Sequence, residues 1–133
     1  MSLVTKASDA SIDAASAMYA PQVSGLTAGE ALDTLAPCYI KESDGLVYMS
    51  NGTAANEAAS FDGFTAKAYA SGDTNVTLFG VGTKMRYATG LTAGANYFIG
   101  ATKGRLDDTA TTGDAVGVVR AVTSTVVRVI RNY

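Results

Sequence analysis

The chain has 133 residues, 47% of them hydrophobic, with 14 glycines, 2 prolines and a formal net charge of −2. That is material for one domain with a real core and too little for two. No apolar run approaches the roughly 18 residues of a membrane span. The absence of histidine excludes His-based metal sites and Ser-His-Asp catalysis, and the single cysteine excludes an internal disulfide and thiolate zinc clusters.

Met1-Ser2-Leu3-Val4-Thr5-Lys6 has neither a basic start nor an apolar run, so no secretory signal is read and cytoplasmic synthesis is expected. Residues 1–20 are rich in Ala, Ser and Asp, with scattered Leu3, Val4, Ile12, Met18 and Tyr19. Ser8 or Asp9 could cap a short helix carrying Ile12, Ala15 and Tyr19 until Pro21 stops it. The alternative is an extended arm that orders against a neighbour, which the scarcity of apolar residues favours. The expected organisation is an N-terminal arm over 1–20 and a single β-domain over 21–133.

From Pro21 onward β-signals dominate. Gln22-Val23-Ser24 leads into Gly25-Leu26-Thr27-Ala28-Gly29, which returns letter for letter as Gly90-Leu91-Thr92-Ala93-Gly94. After the first copy, 36–41 and 45–50 predict a hairpin around Ser43-Asp44-Gly45, where Asp-Gly supplies tight-turn geometry. After the second, Asn96–Gly100, a turn at Lys103-Gly104 and Gly104–Leu106 repeat that plan. Each copy therefore reads as a turn, a strand, a glycine turn and a second strand.

Between the copies, 51–60 is a small, polar loop, and Phe64–Tyr69 pairs with Asn75–Phe79 across Ser71-Gly72-Asp73. Val76 and Leu78 alternate with polar neighbours, as in a half-buried strand. Gly80-Val81-Gly82-Thr83-Lys84-Met85 lacks the spacing of a phosphate loop and reads as a turn before the strand Lys84–Ala88. Asp107–Asp114 is a polar loop, followed by valine-rich strands at Ala115–Val122 and Thr125–Arg131. The last run carries apolar residues on both faces, with Val126, Arg128 and Ile130 opposite Val127, Val129 and Arg131. Such a strand is sandwiched in the core or covered by a partner, which makes it a candidate subunit contact. The whole predicts an all-β fold of about eight to ten strands, a small β-barrel or β-sandwich with an extended or partly helical N-terminal arm.

Charge divides along the chain. Residues 1–75 hold 3 Lys against 9 Asp or Glu, a balance of −6, while 76–133 hold 7 Lys or Arg against 3 Asp, a balance of +4. This suits complementary patches for head-to-tail or shell contacts, or simply solvated outward positions. A pI near 4.9 gives little footprint for nucleic acid. Cys38 reads as a small buried hydrophobe. Asp107, Asp108 and Asp114 fit no defined cation loop and read as solvated acids, and Asp62 and Asp73 read as turn residues. The 7 tyrosines could line a sugar-binding face, but read more simply as core and rim. No catalytic, cofactor or metal site is expected.

The order of phrases resembles the small capsid decoration, or cement, proteins of tailed bacteriophages over residues 21–131. The carriers are Ala28-Gly29-Glu30-Ala31-Leu32 into Pro37-Cys38-Tyr39-Ile40, then Asp44-Gly45-Leu46-Val47-Tyr48. Phe61-Asp62-Gly63-Phe64-Thr65-Ala66-Lys67-Ala68, Gly72-Asp73 before Val76-Thr77-Leu78, and Gly113-Asp114-Ala115-Val116-Gly117-Val118-Val119 follow in order. The resemblance implies a structural virion protein that binds the outside of a phage head and stabilises the capsid. Its implied partners are the major capsid protein and neighbouring copies of itself, as a homotrimer, with no nucleic acid, membrane or cofactor. The alternative is a tail or fibre β-module binding a host-surface glycan. The candidate residues for capsid or subunit contact are Leu3, Val4, Ile12, Met18 and Tyr19 of the arm and Arg128, Ile130 and Arg131 of the last strand.

Overall fold

A computed structural model describes residues 3–13, 18, 22–53 and 56–130. The protein is all-β. Among the described residues are eleven strands: β1 Ser11–Ile12, β2 Gln22–Leu26, β3 Pro37–Ile40, β4 Val47–Met49, β5 Gly63–Thr65, β6 Val76–Phe79, β7 Lys84–Arg86, β8 Asn96–Ile99, β9 Leu106–Asp107, β10 Val119–Ala121 and β11 Val126–Val129. A single 3₁₀ turn, Glu57–Ala59, is capped by Asn56, whose side chain accepts from the Ala58 amide.

Two antiparallel sheets make a small sandwich-like domain. The first runs β2-β6-β5-β3-β4 and the second β1-β7-β11-β10-β8-β9. Set β1 aside and the two orders coincide: β2, β3, β4, β5 and β6 hold the places of β7, β8, β9, β10 and β11. The registers coincide too. Gln22, Phe79, Phe64 and Pro37 form one transverse row in the first sheet. Lys84, Arg128, Arg120 and Asn96 form the corresponding row in the second. The fold is thus a five-stranded unit built twice.

The first pentapeptide copy begins within the end of β2 and the second follows β7, so each copy leads out of its unit's first strand towards the second. The hairpin that follows is closed alike in both. The Lys41 amide donates to Leu46 O at 2.9 Å, and the Gly100 amide to Arg105 O at 2.7 Å. Gly45 and Gly104 occupy the last turn position at φ of 71° and 77°, a left-handed region open to glycine without strain. An aspartate ties down the far end of each second strand. Asp62 Oδ2 accepts the Ile40 amide at 2.7 Å, and Asp114 Oδ2 accepts the Ile99 amide at 2.9 Å.

Apolar residues at Val76 and Leu78 alternate as the sequence predicts, and the two sheets contribute to two cores. Val76 and Leu78 join Cys38, Val47 and Met49 in a smaller cluster beneath Ala28, Leu32 and Ala36. Met85, Val119, Ala121, Val127 and Val129 of the second sheet build the larger cluster. Phe64, on the opposite face of the first sheet from Leu78, is packed into that larger cluster, its ring edge-on to Phe61 at 5.1 Å. One unit's back therefore closes against the other unit's core.

The N-terminal segment is part of this domain. Among its described residues, a turn at Ser8-Asp9, closed by the Ala10 amide on Ala7 O at 3.1 Å, interrupts 3–13, and the Val4 amide donates to Leu106 O at 2.9 Å. The Ala7 amide donates to Tyr87 O and the Asp13 amide to Lys84 O, both at 2.8 Å. Ser11 and Ile12 pair with Arg86 and Met85, so Ile12 lies on a strand and not on the capped helix read from Ser8 or Asp9. Ala15 and Tyr19 of that helix lie outside the described residues. The described part of the segment, 3–13, is bonded to this chain's own sheet on both sides of its turn.

Three of the four sheet edges are short or covered. Leu3 bridges Asp107 along β9, residues 27–29 bond both sides of Val47 on β4, and β1 is two residues long. The remaining edge, β2, is five residues long and carries a register shift between Val23 and Leu26, which disturbs its ladder. The expected turn at Gly80–Thr83 joins β6 to β7, with the Gly82 amide donating to Val129 O at 2.9 Å.

Candidate interaction surface

The corresponding rows of the two units have opposite environments. Phe64 is fully buried and Pro37 is buried with it. In the second unit the position of Phe64 holds the exposed Arg120 and that of Pro37 the half-buried Asn96, while exposed Arg128 stands where the first unit has the half-buried Phe79. Alternation explains the local pattern, since Val119 and Ala121 point into the core and Arg120 between them must point out.

Charge on this face is only partly compensated. Arg86 Nε lies 2.9 Å from Asp9 Oδ2 and Lys84 Nζ 3.9 Å from Asp13 Oδ2, so the N-terminal segment supplies acids to β7. No described carboxylate makes an ion pair with Arg120 or Arg128. They are direct cross-strand partners, an arrangement of like charges that opposes pairing. Beside them Val122 is 49% exposed and Val126 half-buried. A shallow depression of about 130 Å³ lies among Arg120, Ala121, Val122 and Arg128.

The residues singled out in the sequence do not form one patch. Arg128 lies on the open face of β11, and the half-buried Ile130, just past that strand, donates its amide to Val118 O at 2.9 Å. Leu3 is partly exposed at the β9 edge, where Val4 is half-buried against the larger core. Ile12 packs against the same core from β1, at the other edge of the sheet. Met18 is 68% exposed, while Tyr19 and Arg131 lie outside the described residues. The last strand is not an edge: β7 and β10 flank β11, so its backbone is already paired and only its Arg128 face is open. Arg120, part of the acid-free basic end of the sequence but not among the expected contact residues, belongs with Arg128 through the register of the β10–β11 hairpin.

The aspartates serve the interior. Asp107 and Asp114 are buried, contrary to the solvated loop expected for them. Asp114 Oδ1 also accepts the Gly117 amide at 2.8 Å, so its carboxylate closes the long loop before β10. Asp73 does behave as a turn residue, accepting the Ala70 amide at 2.8 Å. Among the described residues no group of three or more acids or cysteines is placed to hold a metal. Cys38 is buried, and burial first, then Glu30 and Asp33, pushes its thiol well above the ordinary value, away from nucleophile chemistry.

A concavity of about 590 Å³ lies between residues 3–7 and the second pentapeptide copy. Its polar rim includes Thr5, Thr92, Asn96 and Asp108. Tyr97, the aromatic residue along it, is 7% exposed and its hydroxyl accepts the Thr92 amide at 3.0 Å. A ring held in this way offers little face for sugar stacking.

No family model, curated protein or solved structure matches the chain.

Proposed function

We propose that this chain is an assembly subunit, a structural virion protein that binds the outside of a phage head and stabilises the capsid. The order of sequence phrases along 21–131 supports the phage reading. The observation that carries the assembly reading is the unequal fate of the two matching sheet faces. The Phe64 face of the first unit is closed by the second, while the Arg120–Arg128 face of the second unit stands open.

The physics of decoration fits such a subunit. A domain of this size grips weakly alone, but linked copies that touch several capsid subunits gain avidity without a new type of bond. A ligand that occupies only the mature lattice stabilises it by mass action. The subunit must also resist edge-to-edge aggregation, which its covered β4 and β9 edges favour.

The test is heat-induced DNA release from undecorated heads with and without added protein. Decorated heads are expected to retain DNA to a higher temperature, in proportion to occupancy. Identical release curves at saturating protein would contradict the role.

A further inference from the structure

We infer that the open Arg120–Arg128 face docks the acidic hairpin end of a second copy of this chain, at Glu42 and Glu57 beside Asp44. The inference shares with the proposed function the premise of an assembly subunit and names the contact between copies.

Two guanidinium groups sit opposite one another on β10 and β11 with no ion pair from any described carboxylate. Apposed like charges cost stability, and a carboxylate placed between them removes that cost through charge-assisted hydrogen bonds. The depression beside them, about 130 Å³, suits an acidic side chain and is shouldered by exposed Val122.

The complement lies on the same chain. The half that bears the arginines carries +4, and residues 1–75 carry −6. Exposed Glu42, Asp44 and Glu57 gather at the β3–β4 turn, where Glu57 Oε2 accepts the Glu42 amide at 3.1 Å. Asp44 is held by the Tyr48 hydroxyl at 2.6 Å. The nearby Lys41 ammonium lies over the Tyr48 ring, 5.1 Å from its centre, and makes no ion pair there. Arginines on one unit and carboxylates on the other make unlike patches. A contact between unlike patches is heterologous, and repeats until it closes a ring or runs on as a filament.

The test is sedimentation of the full chain over a concentration series in low salt, with R120E/R128E and E42K/E57K run alone and mixed. The wild type is expected to associate, and salt at about 0.5 M to weaken it by about tenfold or more. Each charge-reversed variant should associate about tenfold more weakly or worse, and mixing the two should restore association. R120Q/R128Q, which removes charge from exposed positions, should remain folded and lose association as well. A wild type that stays monomeric in low salt, a variant that associates undiminished, or a mixture that stays dissociated would overturn the inference. Heads separate the two claims. Monomeric wild type that still decorates them overturns only the self-contact, and associating protein that fails to decorate them overturns only the phage role.

Discussion

Arg120 and Arg128 face each other across β10 and β11 in the register that Phe64 and Phe79 hold across β5 and β6. Phe64 is closed inside the chain with Phe79 half-buried beside it, whereas both arginines stand on an open face. The exposed pair also carries a cost in the isolated subunit. Arg128→Thr, a change suited to a strand, should stabilise the dilute protein by about 0.2–1 kcal/mol. Denaturant melts at low concentration check this, and a lower midpoint would mean the arginines are compensated within the chain.

The two strand-end aspartates should differ in weight although they do the same work. Asp114 is fully buried and accepts the Ile99 and Gly117 amides, while Asp62 is half-buried and accepts the Ile40 amide. Asp114→Ala should cost about 3 kcal/mol or more, because each stranded buried donor costs about 1–3 kcal/mol. Asp62→Ala should cost about 1 kcal/mol, since water can reach its site. Urea unfolding of both variants measures the gap, and equal costs would contradict the burial argument.

Removing residues 1–13 should destabilise the domain. The deletion takes Val4 and Ile12 from the larger core and uncovers the β9 edge. A loss of a few kcal/mol is expected, at about 1.5–3 kcal/mol for each fully buried apolar side chain and less for half-buried ones. An unchanged unfolding midpoint would mean that the segment is a dispensable arm.

Alkaline pH should weaken the fold. Burial holds the Cys38 thiol and the Tyr87 phenol above their ordinary values of 9.0 and 10.0, with Arg105 beside Tyr87 pulling the other way. The unfolded chain therefore ionises first. Stability from these groups is complete below those ordinary values and is lost as pH rises through them towards the folded-state pKa. Lys6 works in the opposite sense, because burial lowers its pKa and its charged form is disfavoured in the fold. Thermal melts between about pH 8 and about pH 11 should show a falling Tm, with the onset moved upward in Cys38→Ala. A variant whose onset matches the wild type would clear Cys38 of this role.

Much of each hairpin was legible because its determinants are local. The repeated pentapeptide, Asp44-Gly45 and Lys103-Gly104 marked both hairpins, and alternation at Val76–Leu78 and Val127–Val129 marked the buried faces. The full duplication was not legible, because β5 and β6 share little sequence with β10 and β11. What they share is hydrogen-bond register, which the sequence carries only through distant pairings. The basic end was visible as composition, but that Arg120 and Arg128 face each other depends on the register set by the turn between β10 and β11. Isolated apolar residues such as Val4 and Ile12 ask for a partner without naming it, and here it is the chain's own core.

The most direct test of the assembly role is co-sedimentation of the purified chain with undecorated mature heads of its parent phage, taken to saturation. The account predicts saturable binding at a fixed ratio to the major capsid protein. Folded protein that stays in the supernatant at every concentration would contradict it.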